Sequence, residues 1–478
     1  MYHGASMSEH ERQHPNLTLG ILALGAMAYA LLQSAVIPAL PDLQKSLNAS
    51  ETGIAWVLTA YLLSASVATP VLGRLGDMFG KERLLLWTYV ILSAGTLMAA
   101  LVNTLPLLIV ARVIQGAGGG IFPLAFGIIR DEFPREKVAG AIGLLSAILG
   151  IGAAAGIVLG GLIVEHLHWH WLFWIPLVAL VGAVVLTARF VPESPVRVPG
   201  RINWLSGLLM AFGLSAVLLA ISEANTWGWG STKTIGLLLV GLAVSAAWVF
   251  AELRAMEPLV DMGMMRLRGV WTTNLAGFLL GGGMYASFVL IPQFVEEPKS
   301  TGYGFGASVL AGGIFLLPAT ATMLLTGALA GRVAGRFGSK MALVFGAAIA
   351  AGSFIVLSFA HGEPWDIYVA AGLLGAGIGL AFAAMGNLIV QAVPAEQTGV
   401  ASGMNTVMRT IGGAVGSQVA ATLIEANLGT GGLPDEHGYV LAFLLSLAFL
   451  AVCILASLLV PGRRPRGGRR LDPATAEG

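Results

Sequence analysis

Apolar runs long enough to cross a lipid bilayer recur fourteen times along this chain. A run of roughly 18 or more such residues spans the hydrocarbon core as a helix. The segments are 17–40, 53–72, 84–102, 106–129, 138–164, 171–190, 204–221, 234–251, 270–295, 305–330, 341–360, 367–393, 399–423 and 439–460. Glycines 281–283, Pro292 and Pro318 interrupt the pattern in spans nine and ten. Charged residues make up 11% of the sequence, against about 25% in soluble domains. That excludes a water-soluble globule and a disordered chain. The lone Cys453 excludes a disulfide scaffold and a cysteine metal site, and a net charge of +1 gives no case for nucleic acid. The chain reads as an all-α, polytopic membrane protein.

Lysine and arginine placement sets the orientation. With a cytoplasmic N-terminus, 21 of the 26 cationic residues fall on the inner face, including Arg12, Arg197, Arg201 and the run from Arg463 to Arg470. Lys45, Lys233 and Lys299 fall outside. Both termini are therefore expected in the cytoplasm of a cell with this protein in its inner membrane. The first span lacks a cleavage pattern and is expected to be retained.

Two stretches repeat. Residues 73–80 align with 331–338 at an offset of 258, and Glu136, Gly143, Gly152 and Gly156 align with Glu396, Gly403, Gly412 and Gly416 at an offset of 260. Each pair occupies equivalent places in a six-helix set, so the spans divide as six, two and six. The expected organisation is a cytoplasmic segment 1–16, a six-helix bundle 17–190, a linker with two extra helices 191–269, a second bundle 270–460 and a basic tail 461–478. Related halves around a midplane site are a common transporter layout.

The loop from Gly73 to Arg83, GRLGDMFGKER, carries Asp77 among cations between spans two and three. An anion there can pair with an arginine or sit at a helix N-terminus and hold one conformation closed. The loop resembles the Gly-x-Leu-x-Asp-Arg-x-Gly-Arg/Lys signature of the major facilitator superfamily, with Met78 where an arginine usually follows. Arg112-Val113-Ile114-Gln115-Gly116 is similar to its Arg-x-x-Gln-Gly motif. The run from Gly152 through Gly156 to Gly160 and Gly161 resembles its antiporter motif, with Ile157 replacing the proline. The fourteen spans, Gly228-Trp229 and the Trp169–Phe173 run resemble the fourteen-helix drug:proton antiporter branch. That branch often carries an acid in span one; here the matching run, Leu32 to Pro41, has none. The resemblance implies a gating role for Gly73, Asp77, Gly80, Lys81, Arg83, Arg130, Gly152, Gly156, Gly160 and Gly161, with Asp77 pairing with Arg130. It also implies a cavity lined by the first and fourth helices of each half. Their polar and aromatic residues, with two from gating helices, are Tyr29, Gln33, Tyr61, Arg112, Gln115, Asn274, Tyr285, Asn387 and Asn405; Met284 and Met385 suit an adaptable wall.

An ionisable residue inside a span suggests function by default, which singles out Arg112 and Arg409. Arg409, nearer the cytoplasmic end of its span, also has the length to snorkel. No acid lies in mid-membrane. Glu165, Glu223, Glu296 and Glu425 fall at outer helix ends and Asp42 just beyond span one; Glu223 leads as proton carrier, with Arg112 and Arg409 as coupling partners. His166, His168 and His170 lack an added acid or cysteine, so no metal is expected. These features point to a monomeric exporter of hydrophobic drug-like or natural-product compounds, driven by protons without a cofactor. Neutral, zwitterionic or anionic substrates should be tolerated at least as well as cations. An importer or uniporter on the same fold is the alternative. No Gly-x4-Gly-Lys-Ser/Thr pattern exists for an ATP-driven pump, and no catalytic set occurs at mid-membrane.

Overall fold

A computed structural model describes residues 15–194, 203–429 and 432–462. Arg12, Arg197, Arg201 and the Arg463–Arg470 run lie outside the described residues. Fourteen long helical segments follow in order: α1 (Pro15–Ser34), α2 (Glu51–Phe79), α3 (Lys81–Leu101), α4 (Leu105–Gln115 and Ile121–Glu132), α5 (Arg135–His166), α6 (Trp171–Phe190) and α7 (Trp204–Ser222). After them come α8 (Thr232–Arg254), α9 (Arg268–Glu296), α10 (Val309–Ile314 and Leu317–Phe337), α11 (Ser339–Phe359), α12 (Pro364–Ala392), α13 (Thr398–Glu425) and α14 (Glu436–Leu459).

Among the described residues, thirteen helices are long and apolar enough to cross a membrane, one fewer than expected. The fourteenth, α13, has 28 residues but many glycines, serines, threonines and amides. Its surroundings explain this, because it packs between α2, α9 and α14 and needs little lipid-compatible surface. Breaks also differ from expectation. Helix α9 runs unbroken through Gly281–Gly283. Helix α4, expected to be continuous, has a 3-10 turn at Gly116–Gly120. There a Cβ on Gly116 would strike Ser64, and one on Gly118 would strike Tyr29.

The internal repeat has a structural counterpart. Gly80 (φ 109°) and Gly338 (φ 85°) occupy aligned positions and make the same sharp turn, into α3 and into α11. Positive φ is accessible to glycine without a Cβ clash. On α5, a Cβ at Gly156 would collide with Ser34 at the end of α1; on α13, a Cβ at Gly416 would collide with Gly282 of α9. The aligned glycines thus let the fifth helix of each set lie against the first.

Two large apolar clusters form, one from α1–α6 and one dominated by α9–α14. They meet along two seams, α5 on α10 and α2 on α13. Helix α7 covers the second seam: Leu214 and Leu218 pack with Val407, Leu63, Val67 and Ile411. Helix α8 touches mainly α7 and is 17% buried, against 72% for α12.

Candidate substrate cavity and gate

The seams enclose a cavity of about 270 Å³. Gln33 of α1 and Ile37 just after it, Leu58, Tyr61 and Leu62 of α2, and Leu149, Ala153 and Ile157 of α5 form one side. Met284, Tyr285 and Phe288 of α9, Met323 of α10, Phe382 of α12, and Thr410, Gly413 and Ser417 of α13 form the other. Leu218 and Ser222 of α7 complete the wall. The lining is apolar and aromatic with a few polar groups, the usual make-up of a small-molecule site. A hollow of about 50 Å³ adjoins it, lined by Tyr29, Gln33, Phe122, Tyr285, Thr406, Arg409 and Thr410.

Of the residues proposed from sequence, Gln33, Tyr61 and Tyr285 reach the cavity and Tyr29 reaches the hollow. Arg112, Gln115, Asn274 and Asn387 do not line either space. Arg112, which is fully buried, donates from Nε to the Val57 carbonyl (3.0 Å) and from Nη1 to the Leu32 carbonyl (3.1 Å) and Gln115 Oε1 (2.7 Å). Its guanidinium lies 4.1 Å from the Tyr61 ring centroid, and Gln115 Nε2 donates to Thr96. Arg112 therefore ties α1, α2, α3 and α4 together, where sequence had it facing the cavity. Asn405 donates to Asn274 Oδ1 (3.1 Å) and joins α13 to α9; it also edges a small space beside Arg409. Met385 is fully buried away from the cavity.

One end of the molecule is sealed around Asp77. Its buried carboxylate accepts the backbone N–H groups of Gly399 (3.3 Å) and Val400 (3.2 Å) at the start of α13. A helix N-terminus presents free N–H groups and a partial positive charge, so it holds an anion well. Lys81 Nζ lies 3.8 Å from Asp77 and 2.6 Å from Asp131, all three side chains being buried. The expected Asp77–Arg130 pair does not form. Arg130 instead donates to the carbonyls of Val393 (2.9 Å) and Pro394 (3.0 Å) and to Thr398 Oγ1. Both groups act on the same end of α13, from different sides. Asn387 Nδ2 adds a bond to the Ala139 carbonyl (3.2 Å), and the Gly73 and Gly399 backbones abut. Arg83 is exposed. Asp131 and its partner Ser194 (2.5 Å) were missed in the sequence; the adjacency of Asp131 to Arg130 at the close of a span was the available signal.

At the far end, α5 still meets α10 through Gly161 beside Leu310 and Gly313 beside Ile157. Gly152 and Gly156 instead face α1, and Gly160 faces the turn that follows that helix. Here α7 and its following turn dock on α13: Thr422 Oγ1 and Trp229 Nε1 both donate to Asn225 Oδ1 (2.6 and 2.9 Å), and the turn at Gly228 has φ 87°. Glu223, one residue past the cavity-lining Ser222, is 5% exposed. Glu165 and Glu425 are exposed; Asp42 and Glu296 are half-buried. His168 and His170 share a short contact between Nδ1 atoms (2.7 Å), and burial pushes the His170 imidazole below its ordinary range. Among the described residues no His, Cys, Asp or Glu group could hold a metal.

Comparison with known proteins places this arrangement. The tetracenomycin C resistance and export protein of Streptomyces glaucescens is 31% identical over 432 residues, covering 87% of this chain and 77% of that protein. The multidrug transporter protein MdtP of Bacillus subtilis is 27% identical over 430 residues, covering 88% and 78%. The crystal structure of the human organic anion transporter MFSD10 (TETRAN) matches with a TM-score of 0.64 at 17% identity, over 91% of this chain and 99% of that one, and shares the fold. Residues 22–417 match the Major Facilitator Superfamily, and the chain belongs to that family.

Proposed function

We propose that this protein exports hydrophobic drug-like or natural-product compounds across the cytoplasmic membrane in exchange for protons. Two bundles, 17–190 and 270–460, rock about the cavity, with both termini in the cytoplasm and 191–269 inserted between them. The observation that carries this reading is a largely apolar cavity on the seam between bundles whose Asp77 end is sealed by cross-seam hydrogen bonds. Such bonds must break for the cavity to face the other way, which is the essence of alternating access. The relatives named for tetracenomycin C export and multidrug transport support the substrate class.

Proton exchange is assigned to Glu223. It is buried, follows directly on the cavity-lining Ser222 at the end of α7, and its carboxylate has no hydrogen-bond partner among the described residues. The test uses everted vesicles with an acid interior and a panel of labelled lipophilic cations and neutral antibiotics. Accumulation that collapses with an uncoupler supports antiport; protein-dependent equilibration indifferent to the uncoupler replaces it with uniport. Glu223→Gln should abolish gradient-driven accumulation while leaving passive equilibration, and unchanged accumulation would remove Glu223 from the coupling step.

A further inference from the structure

We propose that Arg409 is the recognition point for an acidic group on the substrate, so that the cavity selects aromatic compounds bearing one carboxylate or ionised phenol. This rests on the export reading above and adds to it the charge class of the cargo.

Arg409 stands at mid-helix in α13 and is 8% exposed. Its guanidinium lies 4.3 Å from the centroid of the Phe382 ring. Sequence allowed it to snorkel toward the membrane surface; instead it turns inward to the hollow at the cavity floor. The two buried arginines differ in what holds them. Arg112 has three hydrogen-bond acceptors, with its Nη2 alone unpartnered. Arg409 has none among the described residues, and its Nε is buried without a partner.

A buried cation lacking a counter-ion is costly, and an aromatic face offsets only part of that cost. An anion that entered the hollow would recover the remainder through charge-assisted, forked hydrogen bonds. Its surroundings suit that role. The polar residues Tyr29, Gln33, Tyr285, Thr406 and Thr410 line the hollow with Arg409. Among the described residues, no Asp or Glu lines the cavity, the hollow or the small space beyond it. The second guanidinium, Arg112 behind Tyr61, adds positive potential from the opposite bundle. Gln33, Leu62, Leu149, Tyr285 and Thr410 line both the hollow and the cavity, so the two are continuous. A ligand with its acid on Arg409 would extend its rings between Tyr61, Met284, Phe288 and Phe382.

The test compares three ligands of one shape: anthraquinone-2-carboxylate, its neutral carboxamide, and the cationic 2-aminomethyl anthraquinone. Binding to the purified full chain is measured by equilibrium dialysis, and transport by uptake into proteoliposomes. The carboxylate should bind about tenfold or more tighter than the amide, and the cation weakest. Arg409→Gln should erase the preference without weakening the amide, whereas Arg409→Lys should keep part of it as a point charge. Wild-type protein that binds amide or cation as tightly as carboxylate overturns the proposal, and this comparison needs no variant to fold. A preference that survives in Arg409→Gln overturns it as well. Absence of uptake for all three, with the binding preference intact, would count against export and leave Arg409 as an anion site.

Discussion

Asp77 does three things with one carboxylate: it caps α13, it faces Lys81, and through Lys81 it is linked to Asp131. Asp77→Asn keeps the shape but removes the charge and points an amide N–H₂ at backbone donors. With normal membrane expression, export should fall about tenfold or more, within the range of coupling energies that set two-state equilibria; undiminished export would contradict the gating role. Lys81→Met leaves two buried carboxylates without their cation. It should destabilise the protein by about 3–5 kcal/mol, read as a lower melting temperature in detergent, and an unchanged melting temperature would mean that the backbone N–H groups and Ser194 hold the carboxylates without the cation. Asp77 stands out in the sequence because its motif is local. Its partner does not. Lys81 is only four residues away, yet which helix end docks on Asp77 depends on the fold, and Arg130 was the more obvious choice by charge. Arg409 shows the same limit, since side-chain direction on a helix follows from packing and not from its distance to the span's end.

The elements were easier to read than the contacts. Each long apolar run became a helix, because lipid leaves a backbone few other ways to satisfy its polar groups. What could not be read was where helices break: Gly116–Gly120 unwinds α4 locally, while three consecutive glycines leave α9 intact. Close packing alone does not decide it, because the α4 glycines press against α1 and α2 and the α9 glycines press as closely against α13 and α14. The repeat glycines on α5 and α13 were visible as a pattern, and the structure supplies their reason in close helix approach. Gly416→Leu should therefore separate α13 from α9, cost about 1–3 kcal/mol or more, and reduce the yield of folded protein. Gly335→Ala, where nothing lies within 4 Å of an added Cβ, is the control and should be neutral. Equal yields for the two variants would dissociate the repeat from packing. Gly335 also stands where Asp77 stands in the first half, so the second half lacks a matching acidic latch.

At the scale of the whole molecule, the two seams are unequal. The α5–α10 seam is in contact toward both ends, whereas on the α2–α13 seam the Asp77 end is bonded shut and α7 occupies the other. The sequence leads one to expect two extra helices between the halves but gives no sign that α7 lines the cavity, since nothing in an apolar 19-residue run says what it will lie against. Movement in the proposed cycle must therefore loosen the Asp77 end while closing the far end around α7. Double electron–electron resonance measures this directly, with spin labels at exposed Phe79 and Glu396 on the Asp77 end and at exposed Lys45 and Glu425 on the far end, in a chain whose buried Cys453 is replaced by serine. Going from wild type to Asp77→Asn should lengthen the first distance and shorten the second. Two distances that stay fixed, or that lengthen together, would contradict alternating access gated by Asp77.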